Sequence, residues 1–301
     1  MRRFGFGPGA QVVAALLAII VVAVVAAPLY APQNPFNIAS LRLLDSLDPP
    51  SFLHGGVKRF PLGTDAEGRD VLSAILYGAR LSFLTGGLAV LLAAAIGIPL
   101  GLAAGYGGGV VDAVLMRLAD AQMAVPAMLV ALLADGIART LLSHYFLQAA
   151  AVPILVIAIG LARWPHFARL VRTAAQLESK RDYVAAARLL GIKSFDIALD
   201  HVLPNVVGPT VVLFTLSLSF AVMDEATLSF LGVGLPSTRP SLGTLIRLGT
   251  DYLLSGEWWV IVFPALALAI PVVLANLLGD AIRDRFDPRG EASETTERAR
   301  A

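Results

Sequence analysis

Residues 81–111 read LSFLTGGLAVLLAAAIGIPLGLAAGYGGGVV, and none of these side chains carries a charge, although Arg80 and Asp112 bracket the stretch. A helix needs about 20 mostly apolar residues to cross the hydrocarbon core of a bilayer, so this segment is long enough to span a membrane. Five further apolar runs lie at 12–27, 121–134, 140–162, 202–223 and 258–279. The first extends to about residue 31, and the third is too short unless it includes the turn with Arg117 and Asp120. The sequence therefore predicts an all-α integral membrane protein with six transmembrane helices.

The composition of the whole chain agrees with this class. Of its 301 residues, 57% are hydrophobic and only 15% are charged, where about 25% charged is usual in soluble domains. So few charges could not cover the surface of a soluble fold, which argues against a soluble enzyme and a disordered regulator. The net charge of +1 offers no basic surface for nucleic acid, and the absence of cysteine excludes disulfides and thiolate sites.

The distribution of Lys and Arg predicts the orientation, because cytoplasmic connections carry more of these residues. Arg2 and Arg3 precede the first run. The connection between the fourth and fifth runs and the segment after the sixth hold the largest groups: Arg163, Arg169, Arg172, Lys180, Arg181, Arg188, Lys193, Arg283, Arg285 and Arg289. We therefore predict that both termini are cytoplasmic. A cleaved secretory signal ending near Ala27 is the alternative for the first run, which is slightly longer than the ~7–15 apolar residues of such signals.

These spans divide the chain into a tail with the first helix (1–31), an external loop with an interfacial helix (32–80), a five-helix core (81–282) and a cytoplasmic tail (283–301). Thr64 and Glu67 have the spacing of a capping box, and apolar residues recur at helical spacing over 71–79. The helix that follows is either an interfacial element that meets a partner or the start of the second span.

Small residues mark one face of the second span. Gly97, Gly101 and Gly105 are spaced by four residues, and Gly109 continues the row. In lipid, such a row lets two helices approach closely, so we predict a packing face. The Gly107–Gly109 run predicts a tight turn and not a phosphate loop, because no Gly-Lys-Ser/Thr follows it.

The connection over 163–204 predicts a helical hairpin at 178–204. Ser179 and Asp182 have capping-box spacing before a helix that starts at Tyr183, and Gly191 is suited to a left-handed residue that closes this helix. A second helix starts near Ser194 and is expected to end at Pro204. The alanine-rich first helix is narrow enough to enter a groove of a partner. The alternative, a hairpin packed on its own protein, is equally compatible with these features.

Two carboxylates, Asp224 and Glu225, end the fifth run and are either residues of a transport pathway or caps of the helix bundle. A proton-coupled transporter using them is an alternative function, although the two halves of the chain show no repeat. Arg117 and Asp120 have the spacing of an ion pair. The histidines His54, His144, His166 and His201 have no metal-ligand spacing, and neither HExxH nor GxSxG occurs, so a membrane-embedded hydrolase lacks its residues.

Four blocks, at 61–70, 101–120, 183–205 and 225–232, resemble one family closely when taken in this order. It is the permease subunit of bacterial ATP-binding-cassette importers for dipeptides, oligopeptides and nickel, on the branch of the second of two paired permeases. The resemblance covers about 61–288. The matching pieces are LGTDAEGRD from Leu62, GYGGG from Gly105, EATLSFLG from Glu225, LLGD from Leu277 and DPR from Asp287.

The hairpin is similar to the cytoplasmic coupling motif of that family, whose first helix docks into a cleft of the ATPase subunit. Ala186, Ala187, Gly191, Leu203 and Pro204 fit the motif, whereas Ala185 replaces its Glu and His201 replaces its Ile. The resemblance implies a set of ATPase-coupling residues: Tyr183, Ala185, Ala186, Ala187, Arg188, Gly191, Leu203 and Pro204.

The resemblance also implies the rest of the machine: a second permease subunit, two ATPase subunits and an external solute-binding protein, in a bacterial inner membrane. This chain would bind no cofactor and break no bond, since ATP and Mg would be held by the partner subunits. Peptides are the expected substrate, with nickel or a peptide-like solute such as glutathione as the alternative.

Overall fold

The computed structural model describes residues 7–37, 41–141, 144–236 and 238–286. All regular secondary-structure elements within these ranges are helices. Arg2, Arg3, Arg289 and the block from Asp287 lie outside the described residues. Within these ranges, five helices are long and apolar enough to cross a membrane, and a sixth span is formed if the bent pair α4 and α5 counts as one. The helices are α1 Pro8–Val25, α2 Ala27–Tyr30, α3 Val71–Gly107, α4 Gly109–Met123, α5 Ala127–Leu141, α6 His144–Glu178, α7 Asp182–Leu189, α8 Ser194–Asp196, α9 Leu203–Phe230, α10 Leu242–Thr250 and α11 Trp259–Phe286.

Helices α3 and α6 form the most extensive helix–helix contact, and α9 packs against both of them and against α11. We call the end of this bundle that carries α7 the hairpin end, and the end that carries the 41–70 loop the loop end. Helix α1 packs on α11 and α3, and Val24 of α1 and Ala27 at the start of α2 are buried.

Helix α3 begins ten residues before the uncharged stretch, so the separate interfacial helix predicted before residue 80 is not formed. Residues 71–79 are instead the first turns of the second span. The predicted capping box is also wrong. Asp70 is the N-cap and accepts from the Ser73 N–H, whereas the Thr64 hydroxyl donates to the carbonyl of Asp45 and accepts from the Asp48 N–H.

The predicted third span is bent by 82° between α4 and α5. Pro126 stands in this break, where its ring and its missing N–H prevent an unbroken helix. At the other end of α4, Gly108 and Gly109 have φ of +59° and +55° and connect it to α3, as the glycine run predicted.

Helix α6 continues to Glu178, so residues 163–178 belong to a span and the connection at the hairpin end is shorter than predicted. The second helix of the hairpin does not end at Pro204. A short α8 passes into a π-helical turn, Ile197–Val202, which continues into α9 with Pro204 in its first turn. Proline is tolerated there because the first N–H groups of a helix need no intrahelical partner.

Candidate functional site

The glycine row of α3 fixes the position of α6, the helix that leads into the hairpin. A Cβ atom on Gly97 would lie 2.5 Å from the carbonyl oxygen of Trp164, and one on Gly105 would lie 2.5 Å from that of Arg172. Gly101 faces the carbonyl of Ala168 in the same way. The row is therefore a close-packing face, and its backbone contact holds α6 against α3.

The predicted turn of the hairpin is present at Gly191. Its φ is +78°, its N–H donates to the carbonyl of Arg188, and the N–H of Ile192 donates to the carbonyl of Ala187. These two bonds are those of a Schellman motif, which closes a helix with a left-handed residue. The predicted capping box at the start of the helix is absent, because Arg181 is the N-cap and the Ser179 hydroxyl donates to the carbonyl of Gln176.

The hairpin helix α7 has two different faces. Val184 and Ala187 are buried in a cluster with Val171, Ile197 and Val202. Ala187, predicted to contact a partner, therefore packs on this chain instead.

On the opposite face, Ala185 and Ala186 are exposed, and Leu189 and Leu190 are 90% and 80% exposed. We call Ala185, Ala186, Leu189 and Leu190 the outer face. The hairpin is thus packed on its own protein along one side and leaves an apolar surface on the other.

Tyr183 and Arg188 attach α7 to the bundle. The Tyr183 hydroxyl donates to Glu178 at 2.7 Å and accepts from the side-chain amide of Asn205 at 3.1 Å. Burial and the Glu178 carboxylate raise the pKa of Tyr183, so the phenol stays a neutral donor. The Arg188 guanidinium lies 5.4 Å above the ring of Tyr106 in α3. Both side chains therefore contribute to the placement of the hairpin.

The last two predicted coupling residues lie where the hairpin joins α9. Leu203 is partly buried against the cluster of Val184 and Ile197, and Pro204 is exposed. Leu203 therefore holds the start of α9 to the hairpin, whereas Pro204 lies on the surface.

The two carboxylates at 224 and 225 have different environments. Asp224 forms an ion pair with Arg163 of α6, in which the guanidinium Nη2 lies 2.6 Å from Oδ2. Glu225 is fully buried, accepts from the Ser229 hydroxyl at 2.7 Å and lies near Ser82 and Ser241. Glu225 therefore connects α9 to α3 and to the start of α10, which fits a bundle-capping role, whereas Asp224 is partly exposed.

The block 62–70 holds the loop end together. Arg69 is 2% exposed and pairs with Asp65 at 2.7 Å, and the Trp259 indole N–H donates to the carbonyl of Thr64 at 3.1 Å. Burial raises the pKa of Asp70 above its ordinary 3.8, against the opposing hydrogen bonds from Ser73. These contacts fix the start of α3 and the start of α11 to one loop.

Sequence reasoning missed the ion pairs of α6. Arg172 pairs with Asp112, and Arg169 pairs with Asp120 at 2.7 Å. Asp120 therefore pairs with Arg169 and not with Arg117, the partner predicted from the spacing. The signal available was the three-residue spacing of Arg163, His166, Arg169 and Arg172. Within the described ranges, no group of three or more His, Asp or Glu side chains is placed to hold a metal ion.

A family model described as "Binding-protein-dependent transport system inner membrane component" matches residues 97–291. The Di/tripeptide transport system permease protein DppC of Pseudomonas aeruginosa (strain UCBPP-PA14) is 38% identical over 294 residues, which cover 96% of this chain and 90% of that protein. The Dipeptide transport system permease protein DppC of Haemophilus influenzae is 36% identical and covers 91% of this chain and 89% of that protein. The protein of the same name from Escherichia coli K12 is 38% identical, with coverage of 85% and 81%.

Among solved structures, an inward-facing form of the MetNI methionine ABC transporter matches with a TM-score of 0.55 and 20% identity. The match covers 71% of this chain and 96% of the solved chain. At this identity the likeness shows the fold, which is that of an ABC importer permease.

Proposed function

Because this chain belongs to the family of inner membrane components of binding-protein-dependent transport systems, we propose that it is the permease subunit of an ATP-driven importer of di- and tripeptides. It is a multi-pass protein of the inner membrane. The peptide cargo is supported by relatives that are named for dipeptide or di/tripeptide transport and match over most of their length. Nickel remains the alternative cargo. A proton-coupled transporter is the alternative of a different class.

We propose that the outer face of α7 docks into a partner ATPase subunit. The observation that carries this proposal is the exposure of Leu189 and Leu190 beside the left-handed Gly191, on a helix whose other side is packed into the bundle. A contiguous apolar patch, such as these two leucines with Ala185 and Ala186, is typical of an interaction surface, whereas a single exposed apolar side chain is not. The hairpin and both termini would then be cytoplasmic.

The complete importer would contain this chain, a second permease, two ATPase subunits and an external binding protein. ATP and Mg would be bound by the ATPase subunits, and this chain would catalyse no reaction of its own. Its part would be half of the pathway and the connection between ATP-driven closure and the membrane helices.

The cargo is tested by uptake of labelled L-alanyl-L-alanine into vesicles that hold the complete importer. We expect this uptake to stop when ATP is depleted while the proton gradient is maintained. Excess Ni²⁺ should not inhibit the uptake. Uptake that follows the proton gradient, or Ni²⁺ uptake without peptide uptake, would contradict the proposal.

The docking surface is tested with Leu189→Glu. A charge placed in an apolar contact must be desolvated, so we expect the ATPase subunits to be lost during purification of the complex. Leu254→Glu is the matched control, because Leu254 is 98% exposed at the loop end. Equal recovery of ATPase with the two variants would show that docking takes place elsewhere.

A further inference from the structure

The ion pair between Arg163 and Asp224 lies on the spanning bundle, between its middle and its loop end. Trp164 packs on Gly97, so the Arg163 backbone is level with the middle of the uncharged stretch 81–111. Val222 packs on Gly86 and Glu225 lies near Ser82, so Asp224 is level with the first turns of that stretch, within about 10 Å of the level of Arg80. The Arg163 side chain therefore reaches toward the loop end to meet Asp224.

This pair is partly exposed on the surface of the single chain. The Arg163 side chain is 15% exposed and the Asp224 side chain 25% exposed. Ionised side chains on a membrane span face the interior of an assembly or a water-filled cavity and not lipid. The surface that carries the pair is therefore turned away from the bilayer in the assembled protein.

The hydrogen bonds of the pair are incomplete. Arg163 Nε and Nη2 both donate to the same oxygen, Asp224 Oδ2, at 2.9 and 2.6 Å. Within the described residues, Nη1 of Arg163 and Oδ1 of Asp224 have no hydrogen-bond partner. A dry protein interface would leave both groups unsatisfied at a high cost, whereas a water-filled pathway satisfies them.

Polar groups continue from this pair toward the hairpin end. His166 is exposed one turn further along α6, and the Arg169–Asp120 pair follows with about half of each side chain exposed. Beside the ion pair, Phe220 lies 5.4 Å below the Arg163 guanidinium and is 52% exposed. The surface thus combines paired charges with an aromatic side chain.

We infer that Arg163 and Asp224 line the translocation pathway and contact the charged ends of the peptide as it passes, an inference that rests on the proposed peptide cargo. Asp224 Oδ1 accepts from the terminal ammonium, and Arg163 Nη1 donates to the terminal carboxylate. Because both groups are already paired with each other, the contact is neutral overall and suits a zwitterion. Phe220 offers an apolar surface to side chains of any sequence.

The pathway part of this inference is tested without any cargo. The chain has no cysteine, so Phe220→Cys introduces a single thiol into it. In the assembled importer we expect this thiol to react with a water-soluble, membrane-impermeant maleimide in at least one state of the ATP cycle. Val22→Cys is the control, because Val22 is 66% exposed on the peripheral helix α1 and should stay unreactive in lipid. If the thiol of Phe220→Cys is as unreactive as that of Val22→Cys in every state, the surface is sealed by the partner permease. This result would overturn the inference.

The contact with peptide is tested with the double variant Arg163→Met/Asp224→Leu, which removes both charges and keeps the volume, a change that buried ion pairs often tolerate. We expect L-alanyl-L-alanine uptake to fall at least about tenfold, the loss expected when charge-assisted hydrogen bonds to the peptide are removed. Uptake is compared at equal amounts of recovered complex, so that a loss of assembly is not counted as a loss of the peptide contact. Uptake of N-acetylalanine amide, which has no charged end, should fall by a smaller factor in this variant.

The matched control is Arg139→Met/Asp135→Leu, which removes an ion pair from α5 and should not affect uptake. Wild-type uptake by the Arg163/Asp224 variant, or equal losses for charged and uncharged substrates, would overturn the contact. If the variant does not assemble, Phe220→Cys decides, because protection of its thiol by L-alanyl-L-alanine supports the contact and unchanged labelling contradicts it. A wild-type importer that takes up no dipeptide would refute the proposed cargo while maleimide labelling still reports on the pathway.

Discussion

The substitution Gly97→Ala tests the close contact between α3 and α6. The added Cβ would lie 2.5 Å from both the Trp164 carbonyl oxygen and the Phe167 Cβ, whereas ordinary contacts begin at 3.4 Å. The two helices would therefore have to separate by 0.9 Å (3.4 − 2.5) at this point. The obstacle includes backbone, which cannot rotate away as a flexible side chain can.

The magnitude follows from two opposing effects. Overpacking of a well-packed contact costs about 1–3 kcal/mol. Replacing Gly by Ala inside a helix gains up to about 1 kcal/mol. Gly87→Ala isolates the second effect, because no atom lies within 4 Å of a Cβ at Gly87 on the same helix. The difference in unfolding free energy between Gly97→Ala and Gly87→Ala should therefore be about 1–3 kcal/mol, or about 5- to 150-fold in the unfolding equilibrium.

The assay is unfolding of the purified chain in mixed micelles with increasing denaturing detergent, followed by tryptophan fluorescence. Trp164 lies at the contact itself and contributes to this signal together with Trp258 and Trp259. Equal stability of the Gly97→Ala and Gly87→Ala chains would refute the argument that this row of glycines is needed for the approach of α6.

Three further predictions concern the hairpin, the orientation and the loop end. Gly191→Val should reach the membrane and keep its spans but hold ATPase subunits poorly, since a β-branched residue is disfavoured at a φ of +78°; full ATPase recovery and transport would contradict a coupling role for this turn. In intact cells a cysteine at Ser51 should react with an impermeant reagent, and one at Ser194 only after permeabilisation; labelling of position 194 in intact cells would reverse the orientation. Asp70→Asn keeps an N-cap acceptor, and because burial raises the Asp70 pKa above 3.8, protonation favours the folded state, so the wild type should lose stability relative to this variant as the pH rises from about 4 to 7. A pH-independent difference in melting temperature between the two would contradict the burial argument for Asp70.

Sequence reasoning predicted the features that depend on one residue type or on local spacing. The apolar runs identify the spans because the hydrocarbon core tolerates few charges. The row at Gly97, Gly101 and Gly105 predicts a contact because only a missing side chain permits such an approach. Gly191 predicts a helix end because few residues adopt a left-handed conformation.

The features that were missed depend on residues far apart in the chain. Three arginines of α6 suggest a surface connection when the sequence is considered alone. The helix nevertheless continues through them because each is neutralised by an aspartate of another helix. The pairs are Arg163–Asp224, Arg169–Asp120 and Arg172–Asp112. Their partners are 49–61 residues away, so no local pattern contains them.

Capping at the loop end has the same origin. Thr64 and Glu67 have the right spacing, but the Thr64 hydroxyl is used by Asp45 and Asp48, which lie 19 and 16 residues earlier. The side chain that caps α3 is therefore that of Asp70. A tertiary contact decided between two local candidates that the sequence alone could not rank.

The uninterrupted passage from the hairpin into the fifth span has a mechanical consequence. Ser194–Phe230 is an unbroken run of 37 helical residues that includes the π-helical turn Ile197–Val202, and it is about 55 Å long at 1.5 Å per residue. If this helix tilts by 5° about its middle, each of its ends moves by about 2.4 Å. If it tilts by the same angle about its hairpin end, the loop end moves by about twice as much. Asp224 and Glu225 lie near that far end, one beside α6 and the other beneath α10. As long as the π-helical turn and Pro209 do not bend, a small rotation imposed on one side of the membrane shifts the Arg163–Asp224 pair and the start of α10 together.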